Sequence, residues 1–308
     1  MRGARAKEPL GVLLMAYGSP SGPEDLKGYL TEVMHGATPD AALVQEYIRR
    51  YELIGWSPQN RITASVRKKL ELRLQRERPG ARVYLATKHW APNIATVIPE
   101  AARDGFRHLV AVPLSPYASI WIMEPYRVGV AEGIRAASTP IEVDVRGGWH
   151  LDPNWIGYWV RAIRAELERI ADRQRCVLLS AHSLPQRFRD RGDPYPELVR
   201  ATAGEIARSA TLDRWSFTYQ SPGNTTEPWL GPLIEEVMTG WKERGARTQL
   251  IASVGFAFDH LEVLYDLDVV VREYAESLGI EYRRVPMPND ANEVVDALAS
   301  TALRQPVP

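Results

Sequence analysis

The sequence predicts an α/β protein made of two similar lobes with a cleft between them. Three observations predict this fold. Short apolar runs typical of buried strands alternate with longer amphipathic stretches typical of helices, the runs fall into two sets of four, and the two sets resemble each other in the same order. Continuous apolar strands joined by helices are typical of parallel sheets that are covered on both faces.

The predicted strands are apolar runs separated by polar and turn-forming residues. In chain order they cover residues 11–17, 82–89, 108–114, 141–147, 176–182, 215–221, 248–256 and 280–287. Amphipathic stretches such as 61–77 and 155–173 have apolar residues at helical spacing, so they are predicted as helices that cover the sheets. We therefore expect two lobes, each with a four-stranded parallel sheet flanked by helices.

The two halves of the chain resemble each other in three pairs of segments. Residues 11–20, GVLLMAYGSP, align with residues 176–185, CVLLSAHSLP, with Val, Leu, Leu, Ala and Pro in common. The other two pairs are 104–114 with 244–254, and 141–145 with 280–285. Ligands of open α/β sheets bind outside the carboxyl ends of the strands, so the cleft between the lobes is the predicted site.

Composition limits the partners that the chain is expected to have. Its 308 residues include 38 Lys+Arg and 38 Asp+Glu, so no overall charge favours nucleic acid or an anionic membrane. Cys176 is the one cysteine, so this chain alone can form neither an internal disulfide nor a cysteine-ligated zinc or iron–sulfur site. The apolar run 10–18 is too short to span a bilayer and no cleavage pattern follows it, so we expect a cytoplasmic protein without a membrane span.

The alignment of the halves places Tyr17 opposite His182, each at the carboxyl end of a predicted strand. Both side chains are therefore candidates to face the cleft. Each also has an ordinary structural interpretation, because tyrosines often cap a core with the hydroxyl in water and histidines often serve structural roles. A serine hydrolase is disfavoured because no G-x-S-x-G pattern occurs, and GSPSG at 18–22 has proline at its centre.

The segment SVGFAFDHLEVLYD, residues 253–266, has one histidine and three acids after a predicted strand. We predict a helix that begins near Asp259, which would be its N-cap. On this helix Asp259, Glu262 and Asp266 lie on one face, whereas His260 lies about 200° round from Glu262 and is expected to be structural. The acids have an ordinary explanation in the dipole of a helix N-terminus. They would also suit a cation or a proton path if a histidine came from elsewhere in the chain.

Three further segments place polar and aromatic residues in loops near the predicted cleft. They are TKHWAP at 87–92, YQSPGNTTEPWLGP at 219–232 and RRYELIGWSPQN at 49–60. The last combines arginines and aromatic residues that suit a flat apolar ligand with carboxylates, although surface salt bridges are the more ordinary explanation. The patterns H-E-x-x-H, EF-hand, G-x-G-x-x-G and P-loop are absent, which argues against dinucleotide or nucleoside triphosphate chemistry.

Together these segments resemble the ferrochelatase family. Six motifs carry the resemblance, in the family's order and over almost the whole chain: LLMAYGSP, RRYELIGWSP, TKHWAP, LLSAHSLPQRFRDRGDPYP, YQSPGNTTEPWLGP and SVGFAFDHLEVLYD. The resemblance implies two Rossmann-like lobes with a porphyrin in the cleft, and insertion of ferrous iron into the ring in heme biosynthesis with release of two protons. The QSPGNTTEPWLGP loop and the lack of cluster cysteines are similar to the bacterial branch that metallates coproporphyrin III.

The resemblance also implies roles for individual residues. His182 and Glu262 match the pair that binds iron and accepts protons, and a histidine with an ordinary pKa near ~6.5 can accept a proton at neutral pH. Tyr17 matches a residue that approaches the iron from the opposite face of the ring. Further porphyrin contacts are implied for Arg50, Tyr51, Ser57 and Tyr126, and supporting positions are Asp266, Lys88, His89 and Trp229.

The expected partners are a porphyrin and ferrous iron as substrates, with no iron–sulfur cluster, no nucleotide and no nucleic acid, and a monomer is expected. We expect a first lobe over residues 8–150 and a second over 151–308, with helices near 152–173 and 290–304 as candidates to cross between them. The alternatives are a protoporphyrin IX ferrochelatase, a cobalt or nickel chelatase, and a non-catalytic tetrapyrrole- or metal-binding protein of the same fold.

Two departures from the branch are expected to matter. VMHGATPD at 33–40 stands where relatives often have a basic run, which puts one propionate contact in doubt. Val270 stands one helical turn beyond Asp266, where relatives can have another carboxylate, so a shorter cation or proton path is expected.

Overall fold

Two parallel sheets form the framework of the protein, which a computed structural model describes over residues 9–305. The first sheet contains β1 (Gly11–Ala16), β2 (Arg82–Thr87), β3 (His108–Pro113) and β4 (Glu142–Val145), in the order β2-β1-β3-β4. The second contains β5 (Arg175–His182), β6 (Trp215–Gln220), β7 (Thr248–Ala252) and β8 (Glu281–Arg284), in the order β6-β5-β7-β8. Neighbouring strands are parallel throughout both sheets.

The two sheets have the same strand order, which confirms the predicted two-lobed α/β fold. Each aligned pair of segments supplies equivalent strands: β1 and β5 are central, β3 and β7 follow, and β4 and β8 are at the edge. Every residue of β1 is buried, and so are the six residues of β5 between its first and last. Helices on both faces bury these strands, which explains why their sequences are continuous apolar runs.

The helices are amphipathic segments with recognisable N-terminal residues. For example, α6 begins at Pro153, and Asp152 at its N-cap accepts a hydrogen bond from the backbone N–H of Asn154. The helices are α1 (Pro23–Val33), α2 (Ala41–Leu53), α3 (Gln59–Gln75), α4 (Ile94–Arg103), α5 (Ile120–Ala136), α6 (Pro153–Arg169), α7 (Gln186–Asp190), α8 (Tyr195–Ala210), α9 (Ile234–Glu243), α10 (Leu261–Leu264), α11 (Arg272–Ser277) and α12 (Asn292–Leu303). A π-helical turn, Asp266–Val271, joins α10 to α11. Among residues 9–305 no helix is both long enough and apolar enough to cross a bilayer.

The last helix, α12, follows the second sheet in the chain but packs on the first lobe. Arg73 of α3 pairs with Asp296 of α12 at 2.7 Å, and Arg146, just after β4, donates to the Ala302 carbonyl at 2.9 Å. A single cluster of buried apolar side chains runs through both lobes and includes residues of β1 and β5. The lobes therefore share a core. The predicted limits 8–150 and 151–308 stay a prediction, and positions 8 and 306–308 lie outside the described residues.

Candidate active site

His182 and Glu262 meet at the carboxyl end of the second sheet. His182 is the last residue of β5 and Glu262 lies in α10, and His182 Nε2 is 3.4 Å from Glu262 Oε1. Their side chains are 23% and 43% exposed, so a ligand in the cleft can reach both. The structure therefore brings together the histidine and the acid that the sequence pointed to, from segments far apart in the chain.

The backbone and ring of His182 are fixed by hydrogen bonds. Its Nδ1–H donates to the Ser183 carbonyl, which leaves Nε2 directed at Glu262. The hydroxyl of Tyr195 donates to the His182 carbonyl at 2.9 Å, and the Ser183 N–H donates to the Gln220 carbonyl at 2.7 Å. A ring held in this way is ready to bind a metal ion or to move a proton.

Gln220, at the end of β6, is a site residue that the sequence interpretation missed. Its side chain is buried, and its Oε1 accepts from the hydroxyls of Ser180 at 2.7 Å and Ser253 at 2.8 Å. Its Nε2 donates to the carbonyl of Glu262 at 3.3 Å. One amide thus joins two strand ends to the segment that carries the acid. A glutamine at the carboxyl end of a predicted strand, where the neighbouring strand of the sheet ends in His182, is the signal that could have revealed it.

Gly255 is a second residue that was missed, and its role is steric. After β7 the chain turns back toward β5, and the Gly255 N–H donates to the Ser180 carbonyl at 3.0 Å. A Cβ atom at this position would lie 2.6 Å from Ala181 Cα and 3.3 Å from the backbone nitrogen of His182. The predicted strand 248–256 therefore stops at Ala252, because the following residues leave the sheet to make this close contact.

We expect Gly255→Ala to destabilise the protein by ~1–3 kcal/mol, because the new methyl group meets backbone that can move only with the end of β5. The free energy of unfolding in urea measures this effect. Gly157→Ala, on helix α6, is the matched control: its Cβ would meet open space, so this variant is expected to be ~0.4–1 kcal/mol more stable than the parent. Equal stability of the two variants would contradict the steric role of Gly255.

His260 is closer to Glu262 than the sequence predicts. The helix begins at Leu261, not near Asp259, and His260 precedes it in an extended conformation with φ of −157°. Its Nε2 lies 3.5 Å from Glu262 Oε2, while its Nδ1 is 2.9 Å from the Phe258 carbonyl. The expected separation of the two side chains is wrong because it assumed a regular helix through both positions. Each carboxylate oxygen of Glu262 therefore has an imidazole beside it.

Asp259 does not belong to the predicted row of acids. Its carboxylate accepts from the Asn289 amide at 2.8 Å and lies 3.3 Å from the guanidinium of Arg284. Arg284 is the last residue of the edge strand β8, and Asn289 follows that strand. Asp259 is therefore directed toward β8 and away from Glu262. The prediction that Asp259 caps the helix and shares its acidic face is therefore wrong, and the row reduces to Glu262 and Asp266.

The π-helical turn begins at Asp266, directly after α10. Within it the Val270 N–H donates to the Tyr265 carbonyl at 3.1 Å, five residues back. The wider turn breaks the regular helical spacing assumed for this segment, and such turns are frequent at functional sites. The side chain of Val270 is exposed, as expected for a position that adds no carboxylate to the row.

Charges at the site favour a proton shared by His182 and Glu262. Burial is the largest single influence and lowers the pKa of His182, but the charge of Glu262, its hydrogen bond and the hydrogen bond to Ser183 together outweigh burial and raise this pKa to about 9. Burial opposes ionisation of Glu262 too, yet its two imidazole neighbours hold its pKa well below the usual range. The ordinary pKa assumed for His182 is therefore not the one in the folded protein. At neutral pH the imidazole of His182 is therefore already protonated on both ring nitrogens and positively charged.

Asp266 lies farther along the same segment. Burial, reinforced by the nearby charge of Glu262, raises the pKa of Asp266 to about 6. This carboxylate is ionised at neutral pH but takes up a proton readily. Its position and its pKa suit a group that receives protons from the His182–Glu262 pair.

Tyr17, Lys88 and His89 form the opposite wall of the cleft. The backbone N–H groups of Lys88 and His89 donate to the Ala16 and Tyr17 carbonyls, both at 2.9 Å, so the ends of β1 and β2 stay side by side. Lys88 Nζ lies 4.5 Å from the ring centre of Tyr17 and 5.5 Å from that of Tyr126. Burial and then the charge of Glu262 raise the pKa of Tyr17, so this wall faces Glu262.

Lys88 and His89 both have lowered pKa values. Burial lowers the pKa of Lys88 to about 8. Burial, then the charges of Lys88 and His35, lower the pKa of His89 to about 3, so its imidazole is neutral at physiological pH. The wall opposite Glu262 thus presents one amine that gives up its proton easily and no imidazolium.

Arg50 lies at the edge of the cleft on α2. Its guanidinium carbon is 5.2 Å from the ring centre of Tyr47 and 5.1 Å from that of Tyr265, and its Nε donates to Glu46 at 2.8 Å. Its positive charge also reaches Asp266 and lowers the pKa of that carboxyl, although less than burial raises it. An arginine held between two aromatic rings at this edge is suited to a ligand carboxylate.

The remaining residues predicted to contact or support the porphyrin lie around this edge of the cleft, and two of them are buried. Tyr51 is buried and stacks on Trp56, Tyr126 is buried beneath Lys88, and the Ser57 hydroxyl accepts from the Gln59 N–H at 3.3 Å. Trp229 donates to the Thr225 hydroxyl at 2.9 Å, in the loop that pairs with the segment after His182. Within the described chain there is no group of three or more His, Cys, Asp and Glu side chains arranged to hold a metal ion.

Known proteins resemble this chain over nearly its full length. A family model for ferrochelatase matches residues 9–305. The coproporphyrin III ferrochelatase of Geobacillus sp. (strain WCH70) is 34% identical over 307 residues, which cover 97% of this chain and 99% of that protein. The coproporphyrin III ferrochelatase of Halalkalibacterium halodurans is 36% identical over 299 residues, which cover 96% of each.

A solved structure supports the fold alone. The sirohydrochlorin chelatase SirB from Bacillus subtilis subspecies spizizenii, in complex with cobalt, superposes with a TM-score of 0.57 at 12% identity. The superposition covers 96% of this chain and 94% of SirB. The family model and the sequence identities carry the assignment: this chain belongs to the ferrochelatase family.

Proposed function

We propose that this protein is a ferrochelatase that inserts ferrous iron into coproporphyrin III in heme biosynthesis. The observation that carries the proposal is the 3.4 Å contact between His182 Nε2 and Glu262 Oε1, opposite Tyr17 and Lys88 in the cleft. Imidazole and carboxylate are ligands that suit Fe²⁺. The relatives named for coproporphyrin III support that substrate.

The resting pair would exchange a proton for the iron. His182 carries a proton that Glu262 stabilises, and metal binding to imidazole requires that proton to leave. Iron would lie against Glu262 and Nε2 of His182 and then pass to the ring nitrogens, which lose two pyrrole protons. One proton would return to His182, and the other would leave through Asp266. The balance is two protons released for each iron inserted.

The opposite wall would hold and bend the ring. A flat porphyrin directs its nitrogen lone pairs into its plane, so an iron ion can enter only if the ring distorts, at a cost of ~1–5 kcal/mol from remote contacts. Tyr17 and Lys88 would press on the face opposite Glu262, and Arg50 would bind a propionate; the contacts of Lys88 with Tyr17 and of Arg50 with Tyr265 support these roles. Buried Tyr51 and Tyr126 would support this wall from behind, with Ser57 near its edge and His89 as part of it. Trp229 would lie on the His182 side, in the loop that pairs with the segment after His182.

Oxygen-free mixing of the protein with Fe²⁺ and coproporphyrin III tests the proposal. We expect the absorbance spectrum to change to that of the iron porphyrin much faster than without protein, and more slowly with protoporphyrin IX. No acceleration with either porphyrin would favour a non-catalytic binding protein. A faster reaction with protoporphyrin IX would overturn the substrate and keep the chelatase activity.

We expect the turnover number at saturating iron to fall as the pH drops through about 6, because Asp266 then becomes neutral and no longer receives protons. Asp266→Asn is expected to lower the turnover number ~10-fold and to remove this fall in turnover at low pH. The pH profiles of the parent and the variant between pH 5.5 and 8 measure both effects. An unchanged fall in turnover at low pH in the variant would show that another group titrates there.

The other expectations drawn from the sequence stay proposals. They are a monomer in the cytoplasm, without nucleic acid, nucleotide or iron–sulfur cluster, and with the two lobes divided near residue 150. Size-exclusion chromatography with light scattering tests the first of these, with a mass near 34.6 kDa expected for a monomer.

A further inference from the structure

Asp193 joins the two lobes through a single buried carboxylate. It lies between α7 and α8 and is 6% exposed. Its Oδ2 accepts from the backbone N–H of Trp121 at 2.7 Å, and its Oδ1 accepts from the backbone N–H of Tyr195 at 2.9 Å. Trp121 belongs to the first turn of α5 in the first lobe, whereas Tyr195 is the first residue of α8 in the second lobe.

The two N–H groups are ones that their helices leave unpaired. The first turn of an α-helix has N–H groups without an internal partner, and its dipole favours a negative charge nearby. A single carboxylate therefore caps two helix N-termini from different lobes. Beside it the rings of Trp121 and Phe188, from α5 and α7, lie with centres 3.9 Å apart, which adds an apolar contact across the same junction.

Each capped helix leads to a wall of the proposed site. Helix α5 continues to Tyr126, whose ring lies 5.5 Å from Lys88 Nζ on one wall. At the start of α8 the Tyr195 hydroxyl donates to the His182 carbonyl at 2.9 Å, behind the other wall. Asp193 thus connects the support of His182 to the helix that carries Tyr126 through hydrogen bonds.

We propose that Asp193 is a positioning residue that sets the spacing between the two walls of the porphyrin cleft. It touches neither the ring nor the iron, and it acts through α5 and through the Tyr195–His182 hydrogen bond. This inference rests on the proposed function, because the spacing matters only if a ring must be held and bent between the walls. An error of about 1 Å in such a geometry can cost ~100-fold in rate.

Asp193→Ala tests this role against the matched control Asp152→Ala. Asp152 is 8% exposed and also caps a helix, but it caps α6 alone. We expect both variants to lower the urea midpoint, and Asp193→Ala to lower the turnover number for iron insertion ~10–100-fold with a change in KM for the porphyrin below about threefold. Asp152→Ala is expected to keep the turnover number of the parent.

A spectroscopic measurement separates positioning from general loss of stability. Resonance Raman lines of out-of-plane ring distortion report how far the bound porphyrin is bent. We expect these lines to weaken in Asp193→Ala and to keep their parental intensity in Asp152→Ala. If Asp193→Ala does not fold, Asp193→Asn takes its place, because one amide oxygen can cap only one of the two helices, and it is expected to give a smaller change in the same direction.

Equal turnover numbers and equal ring-distortion lines in the Asp193 and Asp152 variants would overturn the positioning role. That result, obtained while the parent inserts iron, would leave the proposed function intact. A parent protein that inserts no iron would instead refute the proposed function itself, so the two failures are distinguishable.

Discussion

Replacement of His182 by alanine is expected to lower the turnover number for iron insertion by a factor on the order of 10³ or more, while porphyrin binding changes by less than about threefold. The imidazole is the group that would release a proton when iron binds and would take one back from the ring. The porphyrin would instead bind mainly through other residues of the cleft walls, which this substitution leaves in place. Anaerobic turnover and fluorescence titration of the bound porphyrin measure the two quantities.

His108→Ala is the control for this variant, because His108 is exposed at the start of β3, at the end of the strand away from the cleft. It is expected to turn over like the parent. If His182→Ala retained most of its activity, the proton and metal role of His182 would be wrong. If it lost porphyrin binding as well, the cleft wall rather than the chemistry would depend on His182.

Glu262→Gln is expected to reduce turnover ~10²–10⁴-fold, and to do so by weakening iron binding as well as proton transfer. The amide keeps the shape of the side chain but loses the charge that holds the proton on His182. Burial would then lower the pKa of His182, because the opposing carboxylate is gone. The pKa of His182, followed by NMR titration of its ring protons, is expected to fall from about 9 toward or below the ordinary value of ~6.5.

Comparing Glu262→Gln with Asp266→Asn shows the order in which the two carboxylates take part in proton transfer. Glu262 contacts His182, whereas Asp266 lies farther along the segment, so the Glu262 variant is expected to be the slower of the two. The same assay applied to both variants decides this. A slower Asp266 variant would contradict the direction assigned to the proton path.

The fold was predictable because the central strands of both sheets are buried on both faces. An apolar run that is continuous in sequence has few places to lie except inside a parallel sheet, and the similar halves predict the same strand order in both lobes. The ends of the strands were harder to place. Residues 253–256 look like an extension of β7, but they leave the sheet because Gly255 packs directly on Ala181.

The central pair of the site, His182 and Glu262, was predictable from strand ends and from motifs. The surroundings of Glu262 were not, because their placement depends on irregular backbone. A helix drawn from Asp259 separates His260 from Glu262, whereas the real helix starts at Leu261 and leaves His260 extended beside the carboxylate. Asp259 is turned away by a partner, Arg284, that is close only in the folded chain.

The supporting polar residues were missed for the same reason. Gln220 and Asp193 make hydrogen bonds to groups of segments that are distant in the chain, and a sequence does not show which of those groups come together. Asp193 appears in the sequence only as part of RGDPYP, where an acid before a proline has an ordinary turn interpretation. The two helix N-termini that Asp193 caps come together only in the folded protein.

Iron is expected to replace a proton held between His182 and Glu262. Proton release on Fe²⁺ binding tests it most directly, by oxygen-free calorimetry at pH 7.5 in buffers with different ionisation enthalpies. Because the pKa of His182 is about 9, we expect about one proton to be released per iron bound, and none in His182→Ala. Iron binding to the parent protein without proton release would show that iron does not replace this proton.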